Sequence, residues 1–135
     1  MASEPKTRPT DASVADFIAA IEHPRRREEA GTVAAVMAEV SGEPAVMWGP
    51  SIVGFGSTRM SANDWPVIAF SPRKANLVLY LGGFEGRDEI VARFSKATAS
   101  VGCIYLTRLT PEDAPVLREA CERAVAAVRA GQSEC

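Results

Sequence analysis

The chain has 135 residues, 15 Lys and Arg against 17 Asp and Glu, and 47% hydrophobic residues, the mixture of one ordinary globular domain. At this length folding hides roughly two thirds of the unfolded chain's surface, so neither a structural metal nor a disulfide is needed. The net charge of −2 argues against a nucleic-acid footprint, no apolar run approaches the roughly 18 residues of a membrane span, and Met1 to Thr10 lack the apolar segment of a secretory signal. These features predict a cytoplasmic protein with neither a nucleic-acid nor a membrane partner.

The Pro-containing stretch from Met1 to Pro9 reads as a disordered tail, and residues 131–135 as a second, leaving one domain over 10–130. Ser13 followed by Asp16 marks a helix start, and Val14, Phe17, Ile18 and Ile21 repeat on one helical face. After Pro24 a second helix opens in the charged run Arg25 to Glu29 and turns Val33, Val36, Met37 and Val40 inward until Ser41-Gly42 stops it. Gly, Pro and aromatic residues dominate from Glu43 to Trp65, with a short strand at Ser51 to Phe55 and a polar loop at Gly56 to Asp64. Pro66 to Ser71 and Asn76 to Leu81 form a hairpin around Pro72-Arg73-Lys74-Ala75. Both strands are apolar at nearly every position, so the sheet is expected to be covered on both faces in places. A third helix runs from about Gly86 to Phe94 with Ile90, Val91 and Phe94 inward, followed by a loop rich in Ala, Ser and Thr and a strand from Gly102 to Leu106. The last helix begins near Asp113 and presents Leu117, Cys121, Ala124, Val125 and Val128 as a stripe. The order ααβββαβα predicts an α+β domain with a mainly antiparallel sheet packed by helices.

Cys103, Cys121 and Cys135 are odd in number and lack pairing spacing, so they are expected to be free thiols, the first two buried in apolar segments. Ser71-Pro72-Arg73-Lys74 fits S-x-x-K, but its serine joins two strands instead of opening a helix, so it reads as a turn and not as a nucleophile with its base. His23 sits between two helices with no relay partner in sequence, which suits a surface or capping role. On the last helix Arg118 with Glu122, and Glu119 with Arg123, are spaced as solvated pairs. Trp48, Phe55, Arg59, Trp65, Arg73, Lys74 and Tyr80 concentrate rings and cations in the middle of the chain, as a ligand-binding cleft for an anionic group would require. The best acidic cluster is Glu85, Asp88 and Glu89 at the head of the third helix, although Glu89 is also spaced to pair with Arg93.

Four blocks carry a resemblance: Thr10-Asp11-Ala12-Ser13-Val14, the run from Val46-Met47-Trp48-Gly49-Pro50 through Gly56, the run Phe70-Ser71-Pro72-Arg73-Lys74-Ala75-Asn76-Leu77, and Leu79-Tyr80-Leu81. In this order they resemble the YdhG-like family of small bacterial domains of unknown function, over about Pro9 to Val128. The resemblance implies an α+β domain. One branch of that family is similar to frataxin in architecture and is associated with iron delivery. Where the family usually has basic residues with a glycine before Cys103, this chain reads Lys96-Ala97-Thr98-Ala99-Ser100-Val101. Together these readings predict a non-catalytic binding module with an aromatic and basic central cleft, without a cofactor, whose partner is a small molecule or a protein. The alternative is an iron carrier using the carboxylates of Glu85, Asp88 and Glu89.

Overall fold

The computed structural model describes residues 9–60, 63–100 and 102–130, with the side chains of 58–64 outside that description. The expected tails at Met1–Arg8 and 131–135 therefore lie outside the described residues, as does Cys135. The last residue of the expected N-terminal tail does have a place, since Pro9 bridges to Trp48 and the Thr10 N–H donates to the Met47 carbonyl at 2.8 Å.

Helix α1 (Val14–Ala19) starts where the Ser13 hydroxyl accepts from the Asp16 N–H at 3.1 Å. Helix α2 (Pro24–Ser41) starts at His23, whose Nδ1 accepts from the Arg26 N–H at 3.4 Å, so the capping role expected of the lone histidine is observed. Strands β1 (Ala45–Trp48), β2 (Ile52–Phe55), β3 (Thr58–Met60), β4 (Asn63–Trp65), β5 (Ile68–Pro72) and β6 (Leu77–Tyr80) follow. Helix α3 (Arg87–Arg93), strands β7 (Ala97–Ser100) and β8 (Cys103–Leu106), a 3-10 turn at Pro111–Asp113 and helix α4 (Ala114–Arg129) complete the chain. The fold is α+β. A six-stranded sheet runs β1-β2-β5-β6-β8-β7 with every neighbouring pair antiparallel, and β3 and β4 form a separate hairpin. Among the described residues no helix is long and apolar enough to cross a membrane.

Three segments expected as loops are strands. Ala45–Trp48 pairs with Ile52–Phe55 through the tight turn at Gly49-Pro50-Ser51, and the segment Gly56 to Asp64 carries β3 and β4. Ala97–Ser100 is an edge strand whose residues are small and mostly exposed, so it presents no apolar alternation by which a strand could be recognised.

Alternation along the strands divides the sheet into two faces. Met47, Val53, Phe55, Ile68, Phe70, Leu77, Leu79, Ile104 and Leu106 point to the face covered by helices, meeting Ala30, Val33 and Met37 of α2 and Leu117, Ala120, Cys121 and Ala124 of α4. Val36 and Val40 of α2 and Val128 of α4 are only half-buried. Trp48, Ala69 and Val78 are also buried but belong to the opposite face, part of which is covered by Trp65 at the end of β4. Two covered faces explain why β5 and β6 are apolar at nearly every position. Gly54 is required there: a Cβ at this position would lie 2.5 Å from Trp48 Cδ1 and 2.8 Å from Pro66 Cβ.

Surface pairing follows tertiary neighbours more than helical spacing. Glu119 does bind Arg123 at 2.7 Å, but Arg118 pairs across to Glu39 of α2 instead of with Glu122. Arg93 pairs with Glu119 of α4 at 2.8 Å instead of with Glu89.

Candidate functional site

The strand register places several cations at one end of the sheet. Pro72 pairs with Leu77, Leu77 with Leu106, and Leu106 with Ala97, so these four residues form the last rung across β5, β6, β8 and β7. Residues immediately beyond that rung must share the same end: Arg73 and Lys74 in the β5–β6 turn, Lys96 before β7, and Thr107 and Arg108 after β8. The Thr107 N–H donates to the Lys96 carbonyl at 3.1 Å, extending the ladder one step further. The connection between α1 and α2 closes over this end and adds His23, Arg25 and Arg26. Between them lies an open hollow of about 1240 Å3.

Its electrostatics are lopsided. Among the described residues the hollow is lined by six cations, Arg25, Arg26, Arg73, Lys74, Lys96 and Arg108, against two acids, Glu22 and Glu29. Glu29 is buried and fully engaged, accepting from Arg26 Nη1 at 2.5 Å and from the Leu109 N–H at 2.9 Å. That network consumes Arg26, whose Nη2 also donates to the Thr107 carbonyl at 3.3 Å. Among the described residues, Arg25, Arg73, Lys74, Lys96 and Arg108 make no ion pair. The first turn of α2 carries no acid and three arginines from Arg25 to Arg27, the reverse of what the helix dipole favours, at a cost of roughly 0.3–1 kcal/mol per misplaced charge. Arg26 is held by Glu29, and Arg27 donates to the carbonyls of Ile21 at 3.0 Å and Glu22 at 3.4 Å, which leaves Arg25 as the cation of this turn without such a bond among the described residues.

The aromatic candidates form a chain on the sheet face away from the helices. Trp48 and Trp65 have ring centroids 6.5 Å apart, and Trp65 meets Tyr80 edge-on at 6.2 Å. The Tyr80 hydroxyl accepts from Arg73 Nη2 at 2.9 Å, linking the rings to the basic turn. Burial raises the Tyr80 phenol above its ordinary range, and the Arg73 guanidinium partly opposes that rise. Trp48 is 2% exposed and packs within the sheet face, whereas Trp65 and Tyr80 keep open surface. Phe55, grouped with these residues in the sequence, lies fully buried on the helix-covered side, one strand position out of phase with them. Arg59 falls where side chains are outside the described residues. The structure therefore brings Trp48, Trp65, Tyr80 and Arg73 into contiguity and puts Arg73 and Lys74 on the hollow, with Phe55 apart from both.

Local sequence reading missed Arg25, Lys96 and Arg108. Each is one cation in an exposed connection, and only the pairing of Leu77 with Leu106 and of Leu106 with Ala97 makes Lys96 and Arg108 neighbours of Lys74.

Groups with nucleophilic or metal-binding character are held elsewhere or used structurally. Ser71 is fully buried and its hydroxyl donates to the Ser51 carbonyl at 2.8 Å, tying the two tight turns together. The Cys121 thiol is buried in α4, and desolvation pushes it up to about 12, while Cys103 is half-buried; both are free. Glu85 does not continue the helical spacing of Asp88 and Glu89, because Gly86 with φ +82° turns the chain between it and α3. Asp88 and Glu89 lie in the first turn of α3 and are exposed. Among the described residues no three His, Cys, Asp or Glu side chains are grouped to share an ion.

Compared with protein-family profiles, curated proteins and solved structures, the chain matches none.

Proposed function

We propose that this domain is a non-catalytic binding module that takes an anionic small molecule in the hollow at the end of its sheet. The observation that carries this reading is the convergence of Arg25, Arg73, Lys74, Lys96 and Arg108 from separate segments around one concavity, whose only acid not already neutralised among the described residues is Glu22. These five cations make no ion pair among the described residues; they repel one another, and a bound anion relieves that repulsion. Concavity supplies the second requirement, because anions held in a recess are less screened than those on an open surface. The absence of a catalytic role in this reading is supported by how the reactive groups are used. The Ser71 hydroxyl is committed to a backbone carbonyl, and the His23 Nδ1 lone pair caps α2.

The proposed kinship with the YdhG-like domains points to the same place. Two of the four blocks that suggest it, around Met47–Ser51 and Ser71–Lys74, are far apart in the chain, yet Ser71 bonds Ser51 and both residues line the hollow.

Amide chemical-shift mapping during titration with inorganic phosphate tests the reading. Shifts are expected to cluster at residues 22–26, 71–74, 96 and 107–108, and to weaken in the Lys74→Ala, Lys96→Ala double variant. Shifts confined to other surfaces would overturn the site, and the absence of any saturable response would overturn the function.

A further inference from the structure

The hollow is not uniformly charged, and its apolar lining restricts what it can hold. Besides the cations, α1 and its connection to α2 contribute Phe17, Ala20, Ile21 and Pro24 to the lining, and Pro72 adds an apolar ring beside Arg73. Phe17 and Ile21 are half-buried: one side of each packs on the main core and the other borders the hollow. A site meant for an inorganic anion alone has no use for a phenyl ring, an isoleucine and two prolines, and about 1240 Å3 far exceeds what such an ion fills. Conversely, a neutral apolar ligand has no use for five cations that make no ion pair among the described residues. We infer that the ligand is an amphiphilic phosphate monoester, its dianionic head among Lys74, Lys96, Arg108 and Arg25 and its hydrocarbon body against Phe17 and Ile21.

This inference rests on the anion-binding reading above and adds the chemical class. A phosphate monoester carries about −1.5 to −2 charge and three acceptor oxygens, enough to engage several cations at once. Arginine guanidinium groups suit it through paired N–H donors, and the lysines act as mobile point charges. The apolar lining then adds affinity with chain length. A fully buried methylene contributes about 0.8 kcal/mol, or roughly fourfold in affinity, and in an open recess about half of that, or twofold, is expected.

The same chemistry occurs in free metabolites and at the surface of acidic membranes, so both forms are tested. The full chain is titrated by calorimetry with inorganic phosphate, butyl phosphate and octyl phosphate, the last below its micellar concentration, and by sedimentation with phosphatidate vesicles. The titrations are repeated on Lys74→Ala, Lys96→Ala, whose side chains are exposed and leave folding intact. Octyl phosphate, four methylenes longer, is expected to bind about sixteenfold more tightly than butyl phosphate, and both to lose about tenfold or more in the double variant. If the variant weakens all three phosphates equally but chain length has no effect, the anion site stands and the amphiphilic ligand is overturned. If the double variant changes nothing, or nothing binds, both readings fall. Binding to phosphatidate vesicles without binding of monomeric octyl phosphate overturns the proposal in favour of a membrane surface.

Discussion

Asp113 joins three parts of the fold through one carboxylate, so its removal should be costly. Its oxygens accept from the Ser95 N–H and hydroxyl, each at 2.9 Å, and from the Thr110 N–H and hydroxyl at 2.9 and 3.0 Å. The link fastens the end of α3 to the start of α4. Burial alone would raise this carboxyl, but the donors from Thr110 and Ser95 outweigh it and hold the group below its ordinary value of 3.8. In Asp113→Ala the two hydroxyls can turn to water, but the two backbone N–H groups lose their acceptor. At about 1–2 kcal/mol for each partly buried donor, the loss is about 2–4 kcal/mol. For a domain of this size that is a fall of roughly 8–16 °C in Tm. Because the folded carboxyl titrates below the unfolded one, its contribution is complete above 3.8 and disappears as pH falls through the lower folded value. Thermal unfolding of wild type, Asp113→Ala and Asp113→Asn from neutral pH downwards checks both claims. Both gaps from wild type should be wide at pH 7 and should narrow below about pH 4. An Asp113→Asn protein within 2 °C of wild type at every pH would refute the reasoning.

Gly54→Ala should destabilise the domain by about 1–3 kcal/mol, since the added methyl collides with Trp48 and Pro66 within a packed face; the displaced indole should also shift the tryptophan emission, and an unchanged spectrum at wild-type stability would contradict the packing. Arg87 donates through Nη2 to the carbonyls of Ser100 at 2.5 Å and Cys103 at 2.8 Å, so Arg87→Ala should speed amide exchange in residues 97–106 about fivefold or more while leaving α2 unaffected. Alkylation of the native protein at pH 8, followed by peptide mass spectrometry, should modify Cys103 well before Cys121, whose thiol is desolvated and pushed up to about 12.

Elements with a strong local signature could be read from the chain. Ser13 and Pro24 marked the starts of α1 and α2, and the stripe Leu117, Cys121, Ala124, Val125 marked the buried face of α4. The strands that escaped notice lack such a signature. β7 is small and exposed because it is an edge with nothing packed on most of its side chains, and β1 is interrupted at once by the Gly49-Pro50 turn. The surface pairs failed for a related reason: Arg118 and Arg93 each found an acid on a neighbouring helix, and that proximity is decided by packing that helical spacing does not report.

The candidate site shows the same division between local and long-range information. Arg73 and Lys74 were visible because a Pro-led turn between two apolar strands puts its cations in solvent. Phe55 was misgrouped because strand parity, which assigns it to the helix-covered face, depends on where β2 begins: Ile52 and Gly54 share a face with Trp48, while Val53 and Phe55 do not. A shift of one residue in the expected strand moves every side chain to the other side. Lys96 and Arg108 carried no signal because their significance lies in register. Leu106 had to be matched to both Leu77 and Ala97 before the two residues just beyond the rung could be seen to flank Lys74. In an antiparallel sheet each connection at one end is forced beside the others at that end, so cations scattered through separate turns add to one field once the register is fixed. That is how a chain of net charge −2 can present a recess with five cations free of ion pairs among the described residues, and why total charge constrains the partner of such a domain less than the turn positions do.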